Sequence, residues 1–193
     1  MGRTITKEEI AAFESEVFTG QICEIENPVD VTAAVRYLVN FNHLGFDTET
    51  RPAFRKGTSN EVSLIQLATN DSCFLFRLNK TGFSTPLIHL LSNPSILKIG
   101  LSLRDDFSSM MRRMKFAPDG FIDLQNLVKK YDIDDISLQK IYALLFGKKI
   151  SKGQRLSNWD AELLTESQKK YAALDAWACL KIYEKLCSTK KFT

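Results

Sequence analysis

The sequence predicts an α/β fold, a mixed β-sheet flanked by helices in a single domain. Three observations carry that prediction. Two strand-like runs separated by the turn residues Asn70 and Asp71 read as a hairpin, hence an antiparallel pair. After them helical and strand-like runs alternate, which makes the sheet mixed and lays helices over it. Length and composition agree: 193 residues suffice for one core, and 44% hydrophobic with 25% charged residues is ordinary for a globular chain. No internal repeat, low-complexity stretch or Gly/Ser/Pro-rich linker divides the chain. Residues 1–193 are therefore expected to form one domain, with residues 1–20 as a helical lead-in.

The elements follow in order. Thr6, Lys7, Glu8 and Glu9 form a capping box ahead of a short helix that carries Ile10, Phe13 and Val17 on one side. A strand is expected over 21–26, then a helix over 29–40 on the spacing of Val31, Val35, Leu38 and Val39. Strands over 44–48, 62–69 and 73–78 come next. A helix over 86–91, a strand over 96–100, a helix over 106–114 and a strand over 120–123 continue the alternation. Helical segments over 124–130, 138–146 and 166–187 complete the chain. The last has a clear start, because Thr165, Glu166, Ser167 and Gln168 form a second capping box.

Several chemistries are argued against. Cys23, Cys73, Cys179 and Cys187 show no C-x-x-C spacing and read as reduced, structural thiols of an intracellular protein. No apolar run reaches membrane-spanning length, and the N-terminus lacks the apolar stretch of a signal peptide. A cytoplasmic or otherwise intracellular protein is expected, with no membrane contact. The histidines, His43 and His89, stand apart, which speaks against a His/Cys metal site or a Ser-His-Asp triad. Trp159 and Trp177 read as packing residues.

Carboxylates remain. Asp47 and Glu49 end an apolar run, His43-Leu44-Gly45-Phe46, and alternate residues of a strand share a face, so the two acids point the same way. Asp106 follows the run 98–103. It and Asp105 each suit the first turn of a helix, where the dipole favours an acid, and only the combination with the other motifs selects Asp106. Tyr171 and Asp175 are four apart on the last helix and share a face there. Asp175 sits among Ala172, Ala173, Leu174, Ala176, Trp177 and Leu180, where an unpaired carboxylate costs several kcal/mol or titrates to neutral. A structural, hydrogen-bonded acid is the bland reading of it, and a metal ligand the functional one. Acids that converge without counter-charge repel, and divalent metal is a common solution. Asp123 suits an N-cap at a strand-to-helix turn, with no chemistry.

The formal net charge is only +3, but it is unevenly spread. Basic residues gather at Arg51, Arg55 and Lys56, at Arg104, Arg112, Arg113 and Lys115, and at Lys148, Lys149, Lys152 and Arg155. Any one such cluster is an ordinary solvated face. Two of the three flank the acidic motifs, which suits a polyanion whose backbone approaches a metal site.

Taken together, Phe46-Asp47-Thr48-Glu49, Ser63-Leu64-Ile65-Gln66-Leu67, Lys98-Ile99-Gly100 with Asp106, and Tyr171-Ala172-Ala173-Leu174-Asp175-Ala176 resemble the DEDD superfamily of 3′–5′ exonucleases. The branch is the one that uses tyrosine in its third motif, whose members include the Werner syndrome exonuclease domain and the ribonuclease D-like enzymes. The resemblance runs over about residues 44–186, and the segments 156–159 and 164–168 add likeness to the Werner type. It implies a ribonuclease H-like fold. By it Asp47, Glu49, Asp106 and Asp175 hold two divalent cations, Mg²⁺ or Mn²⁺, and Tyr171 acts beside them. Water attacks the terminal phosphodiester, and nucleoside 5′-monophosphates leave a 3′ end that is single-stranded or recessed in a duplex.

With a free-tyrosine pKa near ~10, Tyr171 is expected to orient the attacking water rather than take its proton. Thr48 points its side chain to the opposite strand face, while the resemblance brings its backbone to the terminal nucleotide. The basic loop 147–155 is either solvated or a phosphate clamp, with Lys152 and Arg155 its candidate contacts. The alternative to an enzyme is a catalytically silent nucleic-acid-binding module, which would be expected to have lost a carboxylate. The likeness of 157–159 leans towards DNA over a ribonuclease D-like RNA substrate. A role in DNA repair, with a separate helicase or repair partner, follows from the same likeness.

Overall fold

In the computed structural model, which describes residues 2–53 and 60–189, six strands form one sheet. They are β1 (Gln21–Ile25), β2 (His43–Thr50), β3 (Val62–Ala68), β4 (Ser72–Arg77), β5 (Leu97–Gly100) and β6 (Phe121–Asp123), in the spatial order β1-β4-β3-β2-β5-β6. β2, β3 and β4 pair antiparallel, whereas β1 joins β4, β5 joins β2 and β6 joins β5 in parallel. The expected hairpin lies between β3 and β4. Its turn is closed by Thr69, whose backbone N–H donates to the Ser72 carbonyl at 2.8 Å and whose hydroxyl accepts from the Ser72 N–H at 3.0 Å. The mixed sheet flanked by helices is thus the architecture found, and it is the ribonuclease H-like one.

Side-chain alternation divides the molecule into two layers. Leu44 and Phe46 of β2 point into a cluster with Val31, Val35 and Leu38 of α2 (Pro28–Leu38), Leu87, Leu90 and Leu91 of α4 (Thr85–Leu91), and Met110 of α5 (Leu103–Arg113). On the other face Leu64, Ala68 and Leu75 pack against Ile141 and Tyr142 of α7 (Leu138–Phe146) and a broad surface of α8 (Glu166–Ser188). Each fully buried aliphatic side chain contributes about 1.5–3 kcal/mol, so these two clusters hold the layers on the sheet. Two one-turn helices, α3 (Leu78–Thr81) and α6 (Leu124–Leu127), fill connections, and a 3₁₀ turn over Val128–Tyr131 replaces the end of the expected helix at 124–130.

Other boundaries moved for identifiable reasons. α1 (Lys7–Ala11) has the expected capping box at Thr6, but it stops before Phe13 and Val17, and Val17 is exposed. The lead-in leaves the helix to pair with the basic loop: the Glu16 N–H donates to the Lys149 carbonyl and the Lys149 N–H to that of Glu14, at 2.8 and 2.9 Å. Residues 2–20 are therefore a strap with one helical turn, where the sequence leads one to expect a helical lead-in over 1–20. α2 ends at Leu38, which leaves Val39 exposed. α8 begins where its capping box predicts, with the Thr165 hydroxyl accepting from the Gln168 N–H. Ahead of it Arg77, fully buried, donates to Glu24 and Glu26 at 2.7 and 3.1 Å and to the Ala161 carbonyl. That network ties the segment before α8 to β1 and β4. Arg55 and Lys56 lie outside the described residues. Among the described residues no helix is long and apolar enough to cross a membrane.

Candidate active site

β2 runs two residues beyond the expected 44–48 and reaches Thr50, with an irregularity between Glu49 and Thr50, so both acids lie inside the pairing register. Asp47 and Glu49 face α8, and Phe46 and Thr48 face the α5 side. What brings α8 close is Gly45: a Cβ on it would sit 2.0 Å from the Ala176 carbonyl oxygen. The small alanines of α8 leave room, and the strand backbone occupies it. Asp175, the neighbour of Ala176, is thereby laid against the strand. One oxygen each of Asp47, Glu49 and Asp175 can lie within 4.8 Å of the others.

Asp106 arrives differently. α5 begins at Leu103, three residues before the expected start, so Asp106 stands one turn inside the helix. The cause is Asp123, whose two carboxylate oxygens accept from the N–H groups of Ser102 and Leu103 at 3.1 Å each. The same residue caps α6 by accepting from the Gln125 N–H at 2.9 Å, as expected. Asp106 is held by the Thr48 hydroxyl, which donates to its Oδ1. Thr48 thus points away from the Asp47–Glu49 face, as alternation requires, and anchors the fourth acid on the α5 side of the strand. Asp106 lies outside the three-oxygen cluster but close enough to raise the proton affinity of both β2 acids. Asp105 is exposed beside it.

The electrostatics are those of acids forced together. Burial pushes the Glu49 carboxyl up to about 9, with Asp175 and Asp106 adding to the effect and Arg155 opposing it. Asp47 is raised well above the ordinary range by burial and then by Glu49, Asp175 and Asp106. Asp175 rises to about 7 through burial, against the pull of the Tyr171 hydroxyl and of Lys152. Asp106 rises to about 6 through burial, with the Thr48 hydroxyl opposing. Such a site keeps part of its protons at neutral pH, and a cation entering it would displace them. The donor set fits a hard divalent ion, being oxygen-only, and Asp175 Oδ1 is buried with no hydrogen-bond partner.

Tyr171 stands beside Asp175, and burial together with Asp175 and Glu49 raises its phenol above the ordinary value. Trp159, fully buried, packs behind it with ring centroids 6.1 Å apart, a packing role for the indole as the sequence implied. Tyr171 and Asp175 line a cleft of about 390 Å³ together with Lys152 and Arg155, the two basic residues singled out in the sequence. The other lysines of that loop are used elsewhere. Lys148 donates to Glu16 at 3.1 Å and Lys149 to the Ala11 carbonyl at 3.0 Å, while Gln139 donates to the Ile150 carbonyl. A second cleft, of about 470 Å³, opens on the Asp106 side and is lined by Thr48, Arg51, Asn60, Asp105, Ser109 and Arg112, among others.

Sequence reasoning grouped Arg51 and Arg112 with basic clusters without placing them at the site. It gave Gly45 and Asp123 no part in building the site, although a strand glycine and a helix cap were both visible as signals.

Comparison with known proteins matches the chain to a nuclease family. Residues 22–189 match the family described as 3′–5′ exonuclease. The chain is 36% identical over 149 residues to the mouse (Mus musculus) bifunctional 3′–5′ exonuclease/ATP-dependent helicase WRN, covering 74% of this chain and 11% of that protein. It is 32% identical over 151 residues to the human exonuclease 3′–5′ domain-containing protein 2, covering 72% and 24%. The chain thus spans a quarter or less of these two relatives. Among solved structures, the Aedes aegypti Nibbler EXO domain superposes with a TM-score of 0.78 at 24% identity, covering 89% of this chain and 91% of that one. The Trypanosoma brucei RNase D complex with RNA U12 gives 0.79 at 19%, covering 90% and 65%. At such identities the superpositions speak for the fold.

Proposed function

This chain belongs to the 3′–5′ exonuclease family, and we propose that it shortens nucleic acid from the 3′ end by hydrolysing the terminal phosphodiester bond at the acids of β2, α5 and α8. The observation that carries this reading is the convergence of Asp47, Glu49 and Asp175 within 4.8 Å, with Asp106 across the strand and no lysine or arginine paired to any of them among the described residues. Those four carboxylates would hold two divalent cations, Mg²⁺ or Mn²⁺, which supply activation of water and neutralisation of charge at phosphorus. Their raised proton affinities support that assignment, because cation binding replaces protons there.

The protein's own groups do the rest. Tyr171 keeps its proton at neutral pH, so its hydroxyl aligns the attacking water rather than deprotonating it. Trp159 holds the phenol in place from behind. Lys152 and Arg155 take phosphate oxygens on the α8 side of the strand. In an in-line displacement the leaving 3′-oxygen departs opposite the water that Tyr171 aligns, towards Asp106 and the second cleft. The retained strand then runs past Arg51 and Arg112, neither of which is paired with a carboxylate among the described residues. Thr48, between the two acids, offers its backbone to the terminal nucleotide.

DNA is the proposed substrate, on the 36% identity to a WRN exonuclease. The RNA reading rests on the 29% identity to the ribonuclease D of Gluconacetobacter diazotrophicus. The helicase in the name of the mouse relative suggests a helicase or repair protein as partner. One assay tests the activity: a 3′-labelled strand with Mn²⁺, with and without chelator, using wild type and Asp47→Ala. Shortening that needs metal and is lost in the variant is expected; no shortening by wild type leaves a silent binding module, and equal shortening by the variant rejects hydrolysis at these acids. Matched single-stranded DNA, recessed duplex and RNA in parallel decide the substrate, and faster degradation of RNA overturns the DNA assignment.

A further inference from the structure

Gln66 is fully buried, and neither its Nε2 nor its Oε1 has a hydrogen-bond partner. Its place in the sheet is specific. In the antiparallel pairing of β2 with β3 it stands directly opposite Asp47. Directly opposed residues share a face, with Cβ atoms about 5 Å apart, so the amide and the carboxylate lie side by side under α8. The surrounding positions on that face are apolar: Leu64 and Ala68 along β3, and Leu75 opposite Gln66 on β4. A leucine or methionine would fill such a site without stranding two donors and an acceptor away from water. The amide is therefore out of keeping with packing alone.

We propose that Gln66 is a positioning residue for Asp47, a reading that rests on the cation-binding role proposed above. Its Nε2–H donates to the inner carboxylate oxygen of Asp47 when the acid is ionised, and so turns the outer oxygen towards Glu49 and Asp175. Asp47 is the acid this matters for, because its outer oxygen shares a cluster with Glu49 on its own strand and Asp175 on α8. A carboxylate free to rotate would present either oxygen to that cluster. One held from behind presents a fixed one, which is how partners behind metal ligands commonly act.

Calorimetric titration of chelator-treated protein with Mn²⁺ tests this directly, beside a thermal melt of each metal-free variant. Gln66→Met keeps the side-chain volume and removes the amide, and Gln66→Leu serves as a second apolar variant should the first fold poorly. The expected result is metal-free melting equal to or above wild type, with Mn²⁺ affinity lower by ~10–100-fold. Turnover should fall with it while the KM for a DNA strand stays near wild type. A purely structural role moves the melt and leaves Mn²⁺ affinity alone. Affinity of Gln66→Met within twofold of wild type overturns the proposal while leaving the cation site standing. Absence of Mn²⁺ binding by wild type overturns both.

Discussion

Replacing Gly45 with alanine tests the contact on which the whole site depends. The added Cβ would meet the Ala176 carbonyl oxygen at 2.0 Å and its carbon at 2.8 Å, whereas real Cβ atoms essentially never come within 3.0 Å of such atoms. Both obstacles are backbone, so no side chain can rotate away, and β2 and α8 must part by about 1 Å. The acids of β2 and the Tyr171–Asp175 pair ride on those two elements, and their oxygens cluster within 4.8 Å. A misplacement of ~1 Å at a catalytic group costs on the order of 10²-fold in rate. Overpacking of a tight contact costs about 1–3 kcal/mol, which at this chain length lowers the melting temperature by roughly 2–12 °C. The assay pairs thermal melting with turnover of a 3′-labelled strand at saturating Mn²⁺. A Gly45→Ala protein that melts and turns over like wild type would refute the argument that this approach sets the site.

Three further outcomes are expected. Without cations the folded protein holds protons on Glu49 (about 9), Asp175 (about 7) and Asp106 (about 6) that the unfolded chain, with ordinary carboxyls near ~4, has released; its stability therefore falls as pH rises from ~4 to 9. Mn²⁺ affinity climbs over the same range, so the melting-temperature gain on adding Mn²⁺ should be larger at pH 8.5 than at pH 5.5, and a chelated protein that gains stability towards pH 9 would contradict the reading. Thr48→Val keeps a β-branched side chain in the strand but removes the hydroxyl that holds the Asp106 proton affinity down. A charged hydrogen bond of about 1.5–3 kcal/mol corresponds to one or two pH units, so turnover at pH 7 should fall roughly fivefold and recover towards wild type by pH 9. Lys152→Ala, Arg155→Ala and Arg112→Ala should each reduce the slope of log affinity for single-stranded DNA against log salt by about 0.7, measured by fluorescence anisotropy with chelator present, whereas Lys7→Ala, exposed on α1, should leave it unchanged.

How much of this was legible beforehand depends on the range of the interaction. Strand alternation put Asp47 and Glu49 on one face and Thr48 on the other, and helical spacing put Tyr171 beside Asp175; the structure keeps all of these relations. Capping boxes at Thr6 and Thr165 started their helices correctly, because both partners lie within three residues. The α5 start differs from the expected 106 because its cap is Asp123, some twenty residues away, and nothing local to Ser102 advertises it. α1 is shorter than its local pattern implies because Glu14 and Glu16 give their backbone groups to Lys149, a partner far along the chain.

The sequence by itself determined the residue types, their faces and the order of the elements, since these follow from dihedral periodicity and near-neighbour hydrogen bonds. Only the tertiary structure decided which faces meet. It put the backbone of α8 against Gly45, separated Asp106 from the other three acids by one strand, and set an unpartnered amide opposite Asp47. Those relations join residues 19 to 131 positions apart, and no local pattern encodes them: they arise where two packed layers happen to share the end of one strand.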